Sequence, residues 1–243
     1  RGRAASVQSA DRRLNLYCTV APGDLNGARQ GSWVIARILR YPDPGEAGEA
    51  RVERLLDPEK PVSLAIEAAI ARLSLPQEFA PEAVRDAEAH GHAVDPAEAA
   101  RRVDLRGLPL VTIDGEDAKD FDDAVYAETT PDGFRLVVAI ADVSHYVREG
   151  TALDAEARVR VTSVYFPGRV LPMLPEALSN GLCSLKPDED RLCLCCELRV
   201  GDDGRITRSR FFEGVMRSVA RLTYRDVGEF VEKHAAKPAR RLA

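Results

Sequence analysis

Long apolar runs are missing from this chain. None approaches the roughly 20 residues that span a bilayer, and no signal peptide is read at its start, so no membrane partner is expected. Missing too is an excess of positive charge: 34 Lys and Arg stand against 39 Asp and Glu, a net of −5. A nucleic-acid partner must therefore be met by local patches, a channel or metal-bridged phosphates rather than by a global field. Histidine is scarce, with four in all. His90 and His92 flank Gly91 in a polar linker and read as exposed spacers, which leaves His145 as the only histidine near the acidic cluster described below. Of five cysteines, four lie at Cys183, Cys193, Cys195 and Cys196. A zinc site is one reading of them, but strand alternation sets Cys193 and Cys195 on one face, and buried reduced thiols of a cytoplasmic protein are the better reading.

What is there centres on LPLVTIDGEDAKDFDDAVY, residues 108–126. Leu110–Ile113 is strand-like, with Pro109 at its start, where a missing donor costs little. Then follow Asp114, Glu116, Asp117, Asp120, Asp122 and Asp123, six acids in ten residues relieved only by Lys119. In a regular strand Asp122 and Asp123 point to opposite faces, so Asp114, Asp120, Asp122 and Asp123 converge only if the backbone turns after Asp114. Gly115 is placed to let it turn. Crowded carboxylates raise one another's pKa unless a cation neutralises them, and that cation would be hard and oxygen-loving, Mg²⁺ or Mn²⁺. A solvated loop is the plain alternative, but it has no need of Ile113, Phe121 and Ala124-Val125-Tyr126 around it. An EF-hand is excluded, because the alternating ligands, central glycine and closing glutamate are absent.

The 243 residues allow one large or two modest domains, and the fold class read from them is mixed. Residues 1–60 carry strands at Leu14–Val20, Ser32–Leu39 and near Ala50–Leu56, with turns at Pro22-Gly23-Asp24, Asn26-Gly27 and Pro42–Gly48. With Arg1, Arg3, Arg12, Arg13, Arg37 and Arg40, this suits part of an all-β OB-like barrel that serves as a nucleic-acid platform, or any small barrel with surface arginines. Residues 61–103 form a short helical linker: Leu64, Ile66, Ala69, Ile70 and Leu73 recur at helical spacing, and prolines open Pro81–Glu88 and Pro96–Ala100. Residues 104–243 are α+β. Phe134–Ala141 is a buried strand in a hairpin with Ala124–Glu128, and Asp142 at its end either joins the acids or accepts nearby backbone N–H groups. Thr151 caps a helix over Ala152–Val161, with Asp154 completing a capping box, and its Arg158 and Arg160 face phosphates or solvent. Ser163–Gly168 is a loop whose Tyr165 is either core or a base-stacking platform. Pro175–Asn180 is a short helix that ends at Gly181, and Arg191–Val200 pairs with Arg205–Val215 across a Gly-Asp-Asp-Gly turn. A helix starts at Arg225, and the basic end at 237–241 is expected to fray.

LPLVTIDGEDAKDFDDAVY, VAIADVSHYV, TSVYFPGRVLPMLPEALSNGLCSL and ARLTY, in that order between about Val103 and Val227, resemble the RNB catalytic domain of the ribonuclease II and ribonuclease R family, the ribonuclease R branch most of all. The resemblance implies a 3′-to-5′ exoribonuclease that releases 5′-nucleoside monophosphates by divalent-metal catalysis. It implies that Asp114, Asp120, Asp122 and Asp123 are catalytic, with Asp114 and Asp123 on one ion, Asp120 on a second and Asp122 orienting the attacking water. It also implies that Tyr165 stacks on bases near the RNA 3′ end. His145 and Arg158 are candidate RNA contacts. The β unit takes the place of a cold-shock-type domain. Single-stranded RNA 3′ ends and structured RNA are the expected partners, DNA is not, and the expected location is cytoplasmic. The chain stops well short of a whole RNB domain. The segment that supplies a catalytic arginine in the family lies beyond it, as does a C-terminal RNA-binding domain. A portion of a longer enzyme, with apolar surface left open, is therefore expected. Two other readings stand beside this one, an inactive RNA-binding fragment and an Asp-x-Asp glycosyltransferase using Asp120 and Asp122.

Overall fold

The computed structural model describes residues 5–11, 13–14 and 16–234. Arg1, Arg3, Arg12 and Asn15 of the predicted β unit, and the basic end at 237–241, lie outside the described residues. The chain divides into two compact units, 1–77 with 165–169, and 78–164 with 170–243.

In the first unit β1 (Ala5–Gln8) pairs antiparallel with β2 (Tyr17–Val20), and β3 (Trp33–Arg40) pairs antiparallel with β4 (Gly48–Leu56). β2 runs parallel to β4, giving the order β1-β2-β4-β3. Alternation buries Cys18, Val20, Ala50 and Val52 against Val7, Leu16, Val34 and Ala36. Gly48 is required here, because a Cβ would sit 2.8 Å from both Arg40 O and Cys18 Sγ. β2 starts later than Leu14 for a local reason. The Asp11 carboxylate accepts from Arg13 N (3.0 Å) and Arg13 Nε (2.9 Å), closing a turn where an extended strand was expected. α1 (Pro61–Leu73) opens on proline, buries Ile66 and Ile70 one turn apart, and stops at Ser74, whose φ of 52° is left-handed.

The second unit begins with α2 (Pro81–Glu88) and α3 (Pro96–Ala99), both opened by proline as the sequence predicts. β5 (Val103–Asp104), β6 (Val111–Asp114), β7 (Asp123–Thr130) and β8 (Gly133–Ala141) follow, then α4 (Val143–Tyr146) and α5 (Ala152–Arg160). After them come β9 (Val164–Phe166) and β10 (Arg169–Leu171), whose residues 165–169 belong to the first unit, then the long hairpin of β11 (Asp190–Val200) and β12 (Ile206–Arg217), β13 (Ala220–Thr223) and α6 (Tyr224–His234). Seven of these strands form one sheet in the order β13-β6-β7-β8-β11-β12-β5. Its outer pairs, β13 with β6 and β12 with β5, are parallel, and the rest are antiparallel. One face packs Val137, Ala139, Cys193 and Cys195 against Leu153, Leu178, Leu182 and Leu185. Each such fully buried leucine contributes roughly 1.5–3 kcal/mol. Cys193 and Cys195 do share a face, their free thiols 3.4 Å apart. On the other face Phe134, Ile140, Leu194 and Phe211 stay exposed.

Several expectations change. The segment read as a loop at 163–168 holds β9, paired with β10. The short helix does not stop at Gly181: the chain widens into a π turn over Leu178–Leu182, closed by Cys183 N donating to Leu178 O at 2.9 Å. The capping box of α5 is half formed. Thr151 Oγ1 accepts from Asp154 N, but the Asp154 carboxylate reaches Gly150 N instead of Thr151 N, both at 3.1 Å. Gly133 closes the β7–β8 hairpin with a φ of 127°, where a Cβ would lie 2.1 Å from Val200 O. Among the described residues no helix is long and apolar enough to cross a membrane.

Candidate active site

Asp114 is the last residue of β6 and Asp123 the first of β7, so the strands themselves set the two ends of the acidic loop. The backbone turns at Glu116-Asp117, immediately after Gly115, as convergence requires. The return path is pinned by backbone bonds. Ser184 Oγ donates to Lys119 O at 2.8 Å and accepts from Phe121 N at 3.1 Å. Leu185 N donates to Phe121 O, and Ala141 N to Asp122 O, both at 2.8 Å. The Phe121 ring is buried in the core, which directs the carboxylates beside it away from the apolar interior.

The electrostatics join the four aspartates. Asp114 is raised above the ordinary carboxylate range by burial first, then by the charges of Asp123 and Asp120, against a downward pull from Arg221. Asp122 is raised as well. The first cause is desolvation by the protein around a side chain that keeps exposed surface, followed by Asp120, Asp114 and Asp123. Asp114 and Asp122 thus each feel neighbouring carboxylates. Among the described residues, however, no three His, Cys, Asp or Glu side chains are gathered closely enough to hold a metal ion. What links the four is a shared field rather than a ready coordination sphere. The donor set fits a hard divalent ion in kind, since it offers carboxylate oxygens, and Asp114 Oδ2 is buried with no hydrogen-bond partner.

Asp142 does not join this set. Its Oδ1 accepts from Ser144 Oγ (2.7 Å) and His145 N (3.1 Å), and its Oδ2 pairs with Arg102 Nη1 at 2.7 Å. It caps α4 and neutralises a buried arginine, the second of the roles open to it. His145 Nδ1 faces Arg148 Nη2 (3.3 Å) and Arg102 Nη2 (3.4 Å), and its ring meets Tyr146 edge-on at 4.9 Å. Burial, and then the Arg102 charge, hold this histidine below its ordinary pKa. Arg158 is exposed and pairs with Asp154 at 3.0 Å. Arg160 turns inward instead of facing phosphates: its guanidinium lies 3.7 Å from the Phe79 ring centroid and donates to Pro172 O (3.1 Å) and Glu78 O (2.6 Å). Tyr165 is 63% exposed on β9 and belongs with the first unit, so it is not a core side chain.

Two residues that frame the loop carried no signal by composition. Arg221 on β13 donates from Nη2 to Gly115 O at 2.8 Å and to Glu116 O, with its guanidinium carbon 5.5 Å from the Phe121 ring centroid. Ser184 is the other. Both lie inside the quoted motifs, ARLTY and the CSL that ends the longest one, but nothing in residue type marks them as supports of an acidic loop. Cys183 adjoins them, its thiol pushed up to about 12 by burial and then by the Asp122 charge.

Comparison with known proteins adds the following. The RNB domain family model matches residues 102–242, and the cold shock domain model matches residues 7–80. The chain is 48% identical to ribonuclease R of Escherichia coli (strain K12) over 91% of its own length, and it spans 27% of that relative. Among solved structures it is similar to Mycoplasma genitalium RNase R in complex with double-stranded RNA, with a TM-score of 0.81, 32% identity, and coverage of 92% of this chain and 40% of that one. It is likewise similar to the same organism's enzyme in complex with ribose methylated single-stranded RNA, with a TM-score of 0.80, 30% identity, and coverage of 97% and 39%.

Proposed function

The chain belongs to the RNB domain family, and on that premise we propose that it carries the metal-binding aspartates of a 3′-to-5′ exoribonuclease that hydrolyses RNA to 5′-nucleoside monophosphates. The observation that supports this most is the charge that neighbouring carboxylates of the set exert on Asp114 and Asp122, on a loop pinned at Lys119, Phe121 and Asp122. Asp114 and Asp123 would hold one divalent ion and Asp120 a second. Bound Mg²⁺ or Mn²⁺ supplies charge neutralisation at the phosphate and a water of lowered pKa. Asp122 would orient that water, and a bound cation would relieve the like-charge crowding that raises this carboxylate. Phe121, Ser184 and Arg221 keep the four carboxylates in place before substrate arrives.

The RNA taken is a strand with a free 3′ end; exposed Tyr165 in the first unit offers a stacking surface for its bases, and Arg158 and His145 in the second offer contacts to its backbone. Within the first unit, residues 1–60 offer Tyr17, Trp33 and Tyr41 as exposed aromatics for stacking on RNA, while Arg37 is paired with Glu53 and Arg40 with Glu49. Residues 61–103 link residues 1–60 to a catalytic portion at 104–243. Fully buried free thiols at Cys183, Cys193 and Cys195 suit a reducing cytoplasm. Family membership leaves no place for the glycosyltransferase reading. Binding without hydrolysis stays as the second reading, favoured by the lack of three gathered donors among the described residues.

The test is product analysis with Mg²⁺ on RNA labelled at its 5′ end. Progressive shortening from the 3′ end with 5′-mononucleotide products, by this chain or by a longer chain containing it, is the expected result. Internal cleavage, or 3′-phosphorylated products, would overturn the assignment.

A further inference from the structure

Away from the aspartates, the large sheet carries a row of like charges. Strand register sets Arg135 of β8, Arg199 of β11 and Arg208 of β12 side by side, with Glu128 of β7 at the end of the row. Their side chains therefore leave the same face. One step along that face, Glu197 stands opposite Arg210. Arg135 takes up both carboxylates, at 3.0 Å from Glu128 and 2.7 Å from Glu197. Arg199, Arg208 and Arg210 are exposed, and among the described residues no carboxylate lies within ion-pair distance of them. At the neighbouring turn Asp203 is already paired with Arg205 at 3.5 Å.

Like charges directly opposite each other destabilise a sheet, and Arg199 faces Arg208; Glu128 and Glu197 act on Arg199, and Glu197 on Arg210, only through charge beyond ion-pair distance. The cluster holds four arginines against two glutamates in a chain whose net charge is −5. Cation is thus concentrated where the global balance predicts none. Along β8, Arg135 is five residues from Ile140, which pairs with Asp123. At ~3.4 Å per residue the row lies roughly 17 Å from the acidic loop. A planar guanidinium fork matches a phosphate, and phosphate contacts position a nucleic acid without reading its sequence.

We infer that Arg199, Arg208 and Arg210 form a second RNA-contact surface, separate from the acidic loop, that takes the phosphate backbone of a base-paired segment of the substrate. This rests on RNA being the substrate but not on hydrolysis at the aspartates. The test is fluorescence-anisotropy binding, in EDTA and at several salt concentrations, of a labelled RNA duplex with a 3′ overhang and of a short single strand. The proteins compared are the chain, its Arg199→Ser/Arg208→Ser variant and the Arg199→Lys/Arg208→Lys variant. Loss of two phosphate contacts weakens duplex binding by roughly ten-fold or more at 0.1 M salt and lowers the salt slope by about 1–2. The lysine variant keeps most of the affinity, the single strand binds equally to all three, and the serine variant melts no lower than the parent. Unchanged duplex affinity and slope in the serine variant would overturn the inference, as would an equal loss for the single strand. A parent chain that binds neither RNA would instead sink the RNA reading as a whole.

Discussion

Arg221 and Gly115 are joined across two parallel strands: the guanidinium Nη2 donates to the Gly115 carbonyl at 2.8 Å and also to that of Glu116. The register of β13 on β6 places Thr223 opposite Asp114 and Arg221 opposite Thr112, from where the Arg221 side chain reaches forward to the acidic turn. One side chain thereby fixes the direction in which the chain leaves Asp114. Replacing Arg221 with Met removes both bonds from a partly exposed site and costs about 1–3 kcal/mol. It should also weaken Mg²⁺ or Mn²⁺ binding in calorimetry, while Lys, which keeps the charge but not the fork, restores only part of it.

Ser184 is the second support. Its fully buried hydroxyl serves Lys119 O and Phe121 N, so Ser184→Ala leaves the buried Phe121 N–H and the part-buried Lys119 carbonyl without their partner. A loss of roughly 1–3 kcal/mol in urea unfolding is expected, with unchanged m-value. Ser179→Ala, which removes one 3.4 Å bond, serves as the mild comparison.

Acid acts on the two carboxylate groups with opposite signs. Burial alone would raise Asp142, but the Ser144 hydroxyl, Arg102 and the His145 N–H hold it below its ordinary value. Its contribution is present above the unfolded value of about 3.9 and is lost as pH falls through the folded value. Asp114 and Asp122 are raised, so theirs is present at low pH and lost as pH rises through their folded values. Without divalent ions at pH 7, Asp122→Asn should therefore melt higher than the parent, whereas Asp142→Asn melts lower and loses less on acidification. A thermal-melt series in EDTA across acid and neutral pH checks both.

Strain is stored at the end of α5. Val161 has a φ of 66° and a ψ of −45°, with Thr162 N donating to Arg160 O at 2.7 Å, a tight turn that a β-branched residue adopts at a cost. Val161 is 72% exposed, so little packing is lost on truncation. Val161→Gly should stabilise the chain by about 1 kcal/mol in denaturant titration.

The sequence is most informative where local chemistry decides the outcome. Prolines at 81 and 96 announce helix starts, the apolar run of β8 announces a buried strand, alternation in β11 sets Cys193 and Cys195 on one face, and Gly115 announces the turn that the acids need. It is least informative where a distant partner decides. Ala220–Thr223 is too short and too mixed to read as a strand until β6 lies beside it, and β9 exists only through β10. Arg160 reads as a surface arginine until Phe79 and two carbonyls enclose it. Arg221 and Ser184 belong to the same class, since their roles consist entirely of contacts with residues 63 or more positions away.

Asp114, Asp120, Asp122 and Asp123 are proposed to work together on a divalent ion to hydrolyse RNA. The most direct test is the rate of end-labelled RNA decay against Mg²⁺ concentration, for the parent and for Asp122→Asn, in this chain and in a longer chain that contains it. Decay that needs Mg²⁺ and falls by at least about 100-fold in the variant, while RNA binding is kept, is the predicted result. Equal decay by parent and variant in the longer chain would contradict the account.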